Sequence, residues 1–182
     1  EIASEGIAVS KIAANAARDS ANVARDSLRI SERAWLSVTF DRPFWPSAEQ
    51  VNLVEFTVRN IGKTVAKLKA RSIKGVFWSH PFIPERALEA KPVEALPTIA
   101  TIFPGATLVL DGLVDITFTK TQINGIRNGS QLFDVYGYVA YEDVFGERHI
   151  TRFCQVYDVT HNEGRGGFTY PREAKTEYND AD

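Results

Sequence analysis

The sequence predicts a mainly β protein: an immunoglobulin-like antiparallel β-sandwich preceded by a long N-terminal α-helix. Three observations carry this. Residues 1–34 are rich in alanine, and Gly6 is their only glycine or proline. From Trp35 onward apolar residues recur at every second position, the period of a half-buried strand. The strand-like runs are divided by Pro/Gly turns, with no βαβ alternation that would give a parallel sheet.

The helix contains a seven-residue repeat, ARDSANV (17–23) followed by ARDSLRI (24–30). Val9, Ala16, Val23 and Ile30 fall seven apart and form one stripe, flanked by Ala13, Ser20, Ser27 and Ala34. Arg18, Arg25, Asp19 and Asp26 repeat on more polar faces. Such a helix buries little area alone and needs a partner helix or the body of the domain. A solvated spacer is the plainer reading of the same residues.

AWLSVTF (34–40) reads as a strand ended by the turn-rich DRPFWPS (41–47). In QVNLVEFTVRN (50–60), Val54, Phe56 and Val58 share a face. NIGKT (60–64) is a turn. Along VAKLKARSIKGVFW (65–78), Ala66, Leu68 and Ala70 point one way and Lys67, Lys69 and Arg71 the other. Residues 79–97 carry four prolines and read as a long connection. TIATIF (98–103) is an edge strand, and PGATLVLDGLVDITFT (104–119) is a turn and a long strand with a bend expected at Gly112. Thr119 with Gln122 three residues on is a capping box for a short helix whose apolar side is Ile123 and Ile126; Asn128-Gly129 stops it. Strands follow at 131–142 and 148–160. The chain divides into the helix (1–34), the β-sandwich (35–160) and a polar tail (161–182), flexible by composition.

The helix followed by SERAWLSV (31–38), FTVRNIGKTVA (56–66), FPGA (103–106) and VYGYVAYEDVFGERHITRFC (135–154) resembles a group of uncharacterised bacterial proteins. The likeness covers most of residues 15–157. Those proteins typically carry an N-terminal transmembrane anchor, an Ala-rich helical stretch and a β-sandwich. The resemblance therefore implies a membrane-anchored domain, and the expected location is membrane-associated and extracytoplasmic. Its motifs carry no known chemistry, so no catalytic residue transfers. This chain lacks the membrane helix. It begins at Glu1 and contains no methionine, which fits either a processed amino terminus or a fragment whose upstream part could hold the anchor.

The densest cluster of chemically capable residues is YEDVFGERHITRFC (141–154). DVFG suits a type I turn with Gly146 in the left-handed position, closing a three-residue hairpin with a bulge. Asp143 suits the first turn position, where its carboxylate accepts the turn N–H groups. With Asp143 facing Glu147, the register sets Glu142 against Arg148, Tyr141 against His149 and Gly137 against Phe153. His149 and Cys154 then project from opposite faces, about 17 Å apart along the strand. They form neither a thiol–imidazole dyad nor a shared metal site. Cys154 reads as a small buried hydrophobe, and His149 as a packing partner of Tyr141.

Nothing else announces catalysis. His80, His149 and His161 have no partner at metal-ligand spacing. There is no GxSxG, Walker loop or GxGxxG, and EGRGGF (163–168) opens no helix. With 182 residues, 44% hydrophobic, the chain builds a sizeable core. Its net charge of −2 gives no pull toward nucleic acid. The single cysteine excludes an intrachain disulfide. The basic run Arg59, Lys63, Lys67, Lys69, Arg71 and Lys74 reads as a solvated sheet face, with lipid headgroups or an acidic protein as its functional alternative.

These features point to a non-enzymatic interaction or scaffold domain, an accessory subunit of a larger assembly, with no cofactor, metal or nucleic acid. Its partner is another protein or a second copy of the chain, engaged through the N-terminal helix. The alternative is a sandwich that binds a ligand or metal through loop aromatics. The candidate contact residues are Val9, Ala16, Val23 and Ile30 on the helix, Trp45 and Trp78 in the loops, and Val144 and Phe145 at the hairpin tip.

Overall fold

A computed structural model describes residues 2–42, 44–78, 97–160 and 166–169. The helix α1 spans Ile2–Glu32. Eight strands follow: β1 (Leu36–Thr39), β2 (Val51–Asn60), β3 (Ala66–Trp78), β4 (Ala100–Ile102), β5 (Thr107–Thr117), β6 (Leu132–Glu142), β7 (Arg148–Asp158) and β8 (Gly167–Thr169). A second helix, α2 (Lys120–Arg127), joins β5 to β6. The strands form two antiparallel sheets, in the orders β1-β2-β5 and β4-β3-β6-β7-β8.

The period-two pattern decides which side of each strand meets the other sheet. In β2, Val54, Phe56 and Val58 are buried, while Leu53 and Arg59 face solvent. The two inner faces share one apolar core. Phe56 touches Phe40 and Phe153, Phe40 reaches Phe168, and Phe168 reaches Phe44, which meets Phe118 and Phe133. Each buried phenylalanine contributes about 2–3 kcal/mol of apolar transfer, so this ring chain is a large part of what holds the sheets together.

Three hydroxyls on the five-stranded sheet fix the segment that leads into and out of β1. Tyr141 donates to the Ala34 carbonyl, Thr151 to that of Leu36, and Tyr157 to that of Phe44. Each satisfies a buried polar pair while pinning one sheet to the other.

Three sequence expectations change. The alternation of β3 does not run straight through Ala66, Leu68 and Ala70. The register shifts between Leu68 and Ala70, so Leu68 pairs with inward Tyr141 but Ala70 with Ala140 on the outer face. Lys69 is the extra residue of a bulge. Within the segment read as a polar tail, Gly167–Thr169 pairs with Val156–Asp158, and Phe168 is buried in the core. The helix also stops at Glu32, because Ala34 is wholly buried in the body. His80, His161 and the proline-rich connection lie outside the described residues.

Candidate functional site

The segment after α1 is held by the turn between β2 and β3. The N–H of Lys63 donates to the Arg33 carbonyl, and that of Ile61 to the Trp35 carbonyl. Asn60 is fully buried and closes that turn. Its Nδ2 donates to the carbonyls of Thr64 and Ile102, and its Oδ1 accepts the Gly62 N–H. The backbone of Asn60 also bonds the 103–106 turn at Gly105 and Ala106. The Arg33 guanidinium lies 3.6 Å over the Trp35 ring. With the Tyr141 hydroxyl on Ala34, this makes a socket from which α1 leaves the body. The four segments quoted for the family resemblance meet at this end of the molecule.

The β6–β7 hairpin forms the other wall. Its register is Glu142 with Arg148, Tyr141 with His149 and Gly137 with Phe153, as the turn chemistry required. Gly146 adopts φ 80°, the left-handed position of the turn. Oδ1 of Asp143 accepts the N–H groups of Phe145 and Glu147 at 2.8 and 3.0 Å. The tip reaches α1: Glu147 pairs with Arg29 at 3.3 Å, and the Arg29 guanidinium stands 5.9 Å from the Phe145 ring. Glu32 pairs with Lys63 at 2.9 Å on the neighbouring turn.

The contacts of Arg29 and Glu32 show which side of α1 meets the body. At roughly 100° per residue, Arg29 lies about 120° and Glu32 about 180° around the helix from Val23. The hairpin and the β2–β3 turn therefore lie behind α1, and the Ala16–Val23–Ile30 stripe faces away from the body. Every described side chain from Ser10 to Ser31 is exposed. Ile12, Val23 and Ile30 are exposed by 68%, 65% and 60%. Ile12 belongs to this stripe too, about 20° from its centre; a strict seven-residue count from Val9 passes over it.

The candidate residues divide between the two ends of the body. Ala16, Val23, Ile30, Val144 and Phe145 lie on α1 or at the socket end, and Val144 and Phe145 are exposed there. Val9 lies in α1, but its side-chain surroundings lie outside the described residues. Trp45 is exposed at the opposite end, before β2 begins, while its neighbour Phe44 enters the core. Trp78 ends β3 at that same end, paired with Leu132; its side chain is not among those described. Two exposed apolar residues at the socket end carried a weaker signal, Ile61 in NIGKT and Phe103 in FPGA. Each sits beside a turn glycine or proline in a stretch whose composition otherwise reads as a plain connection.

The basic run is not one surface. Arg59 stands on β2, whereas Lys67, Lys69, Arg71 and Lys74 stand on β3 of the other sheet. Lys67 and Lys69 flank Glu142 at 3.3 and 3.7 Å. The Lys67 hydrogen bond, with the charges of Lys69, Lys67 and Arg148, holds the Glu142 carboxyl below the usual range. Cys154 is buried opposite Tyr136, on the other face of the sheet from His149. Among the described residues, no three His, Cys, Asp or Glu side chains are placed to hold a metal ion. No helix among them is long and apolar enough to cross a membrane.

Comparison with protein-family models, curated proteins and solved structures returns no match.

Proposed function

We propose that this chain is a non-enzymatic interaction module: an immunoglobulin-like body that holds a heptad helix clear of its own surface for another helix to bind. The observation that carries the reading is the rotation of α1. Its ion-pairing side chains turn toward the body and its apolar stripe turns outward. An exposed helix of 31 residues gains little from its own hydrogen bonds, so a partner along the stripe would supply the burial that stabilises it.

The immunoglobulin-like assignment rests on strand order. The sheets β1-β2-β5 and β4-β3-β6-β7 match the order A-B-E against C′-C-F-G of that fold, with α2 in the E–F connection and β8 added beyond G. An aromatic core takes the place of the inter-sheet disulfide. Attachment to a membrane is what the sequence resemblance implies; a place in a larger assembly and an extracytoplasmic location belong to the same proposal.

A photo-crosslinking amino acid placed at Val23, and in a second variant at Arg18 on the polar face, tests it in the source cells. A discrete adduct from position 23 and none from position 18 supports the reading. Equal labelling from both positions, or none from 23, overturns it.

A further inference from the structure

The stripe on α1 has a direction as well as a period, and its flanks differ in charge. We propose that its occupant is a second copy of this chain, joined as a parallel, in-register, two-stranded coiled coil. This rests on the reading of α1 as an interaction helix and names its partner.

The period is the first argument. A stripe repeated every seven residues stays in contact only with a helix that supercoils at the same period. The repeat ARDSANV–ARDSLRI sets that period in this chain, and a second copy carries it in the same phase. The small side chains Ser20 and Ser27 beside Val23 allow close approach of two backbones.

Charge decides the direction. Seen with Val23 at the centre, Asp19 and Asp26 lie about 40° and 60° to one side, while Ser27 and Ser20 lie at about the same angles on the other. A two-fold axis parallel to the helices sets each acidic flank against the partner's neutral flank. An axis across the helices sets acid against acid, which is destabilising. Arg18 and Arg25 lie about 140° and 160° from the centre, too far around to relieve that repulsion.

The body permits this arrangement. Because Arg29 and Glu32 bind it from behind the helix, each body in the pair sits outside the seam. Two copies then meet along Ile12, Ala16, Val23 and Ile30 with their bodies at the same end of the coil.

The test uses the full chain. Sedimentation velocity over a concentration series should show a reversible dimer, and Val23→Lys should raise its dissociation constant by at least about tenfold. Circular dichroism should show the variant's strands unchanged. Ser20→Cys and Ser27→Cys, each alone under mild oxidation, should both form disulfide-linked dimers, while Ala21→Cys on the far face should not. A monomer at all concentrations overturns the proposal, and so does linkage through only one of the two seam positions. A monomer whose residue 23 still crosslinks to a different protein overturns the second copy as occupant and leaves the interaction helix standing.

Discussion

Oδ2 of Asp143 lies 3.0 Å from Nε2 of His149, and both side chains are buried. The other carboxylate oxygen closes the hairpin turn by accepting two backbone N–H groups. One side chain thus shapes the tip and partners a buried imidazole. The imidazole packs on Tyr141 with ring centroids 5.3 Å apart, and the Tyr141 hydroxyl holds the segment below α1. The tip and the helix socket are linked through three side chains.

Removing that carboxylate should be costly. Asp143→Ala leaves two turn N–H groups and the buried imidazole without their acceptor, a loss of about 2–4 kcal/mol. Asp143→Asn keeps an acceptor for the turn and should lose less. Urea unfolding of the three proteins, with equal slopes, reads the order directly. Equal midpoints for wild type and Asp143→Ala would show that the pair contributes nothing.

The hairpin was legible because two local rules agree. Strand parity and turn chemistry together leave one register. The Asp143–His149 contact lay within reach of the same logic: if Asp143 faces Glu147, His149 is its diagonal neighbour on one face. The bulge at Lys69 was not legible, since no glycine or proline marks it. β8 was hidden because its only apolar anchor, Phe168, follows a glycine-rich run that reads as a connector. The rotation of α1 was out of reach of any periodicity. Backbone hydrogen bonds from Ile61 and Lys63 set it, and they join segments distant in sequence.

Those bonds depend on Gly62. A Cβ there would collide with the backbone N of Trp35 and the O of Arg33. Neither backbone atom can swing aside as a flexible side chain would. Gly62→Ala should therefore cost about 1–3 kcal/mol and loosen the socket. Spin labels at Arg25 and Lys120 should give a narrow distance distribution in the native chain and a broad one in the variant. An unchanged distribution would assign the orientation of α1 to its ion pairs instead.

The capping box of α2 offers a smaller, cleaner effect. Thr119 Oγ1 accepts the Gln122 N–H at 3.2 Å, and Gln122 Oε1 accepts the Thr119 N–H at 2.9 Å. Thr119→Ala should cost about 1 kcal/mol, because Ile123 and Ile126 enter the core only while the helix holds its first turn. Thermal unfolding is sufficient to measure it, and Thr119→Ser should restore most of the loss.

Cys154 should be inert. Burial, reinforced by the nearby charge of Asp134, pushes its thiol up to about 12, so the reactive thiolate is scarce at neutral pH. A thiol-specific disulfide reagent at pH 8 should label the native chain only as fast as it unfolds, and labelling should be complete in denaturant. Rapid labelling of the folded chain would overturn this.

Asp134 should make the fold more stable in mild acid than its other carboxylates would suggest. Burial raises its carboxyl from 3.8 to about 6, and Oδ1 has no hydrogen-bond partner. The native state therefore holds this proton more tightly than the unfolded chain does. Between pH 3.8 and about 6 the folded form binds more protons from this group, so its contribution falls as pH rises through that window. The contribution is fully present below the lower value and lost above the upper one. Asp134→Asn removes the charge that must be buried at neutral pH. It should stabilise the chain by about 1–2 kcal/mol at pH 8, a figure reduced from the full shift for partial solvation. The advantage should vanish near pH 3.8, where Asp134 is protonated in the folded chain. Unfolding midpoints for both proteins across that range give the answer. A gain that persists unchanged in acid would show that it comes from the shape of the amide and not from the missing charge.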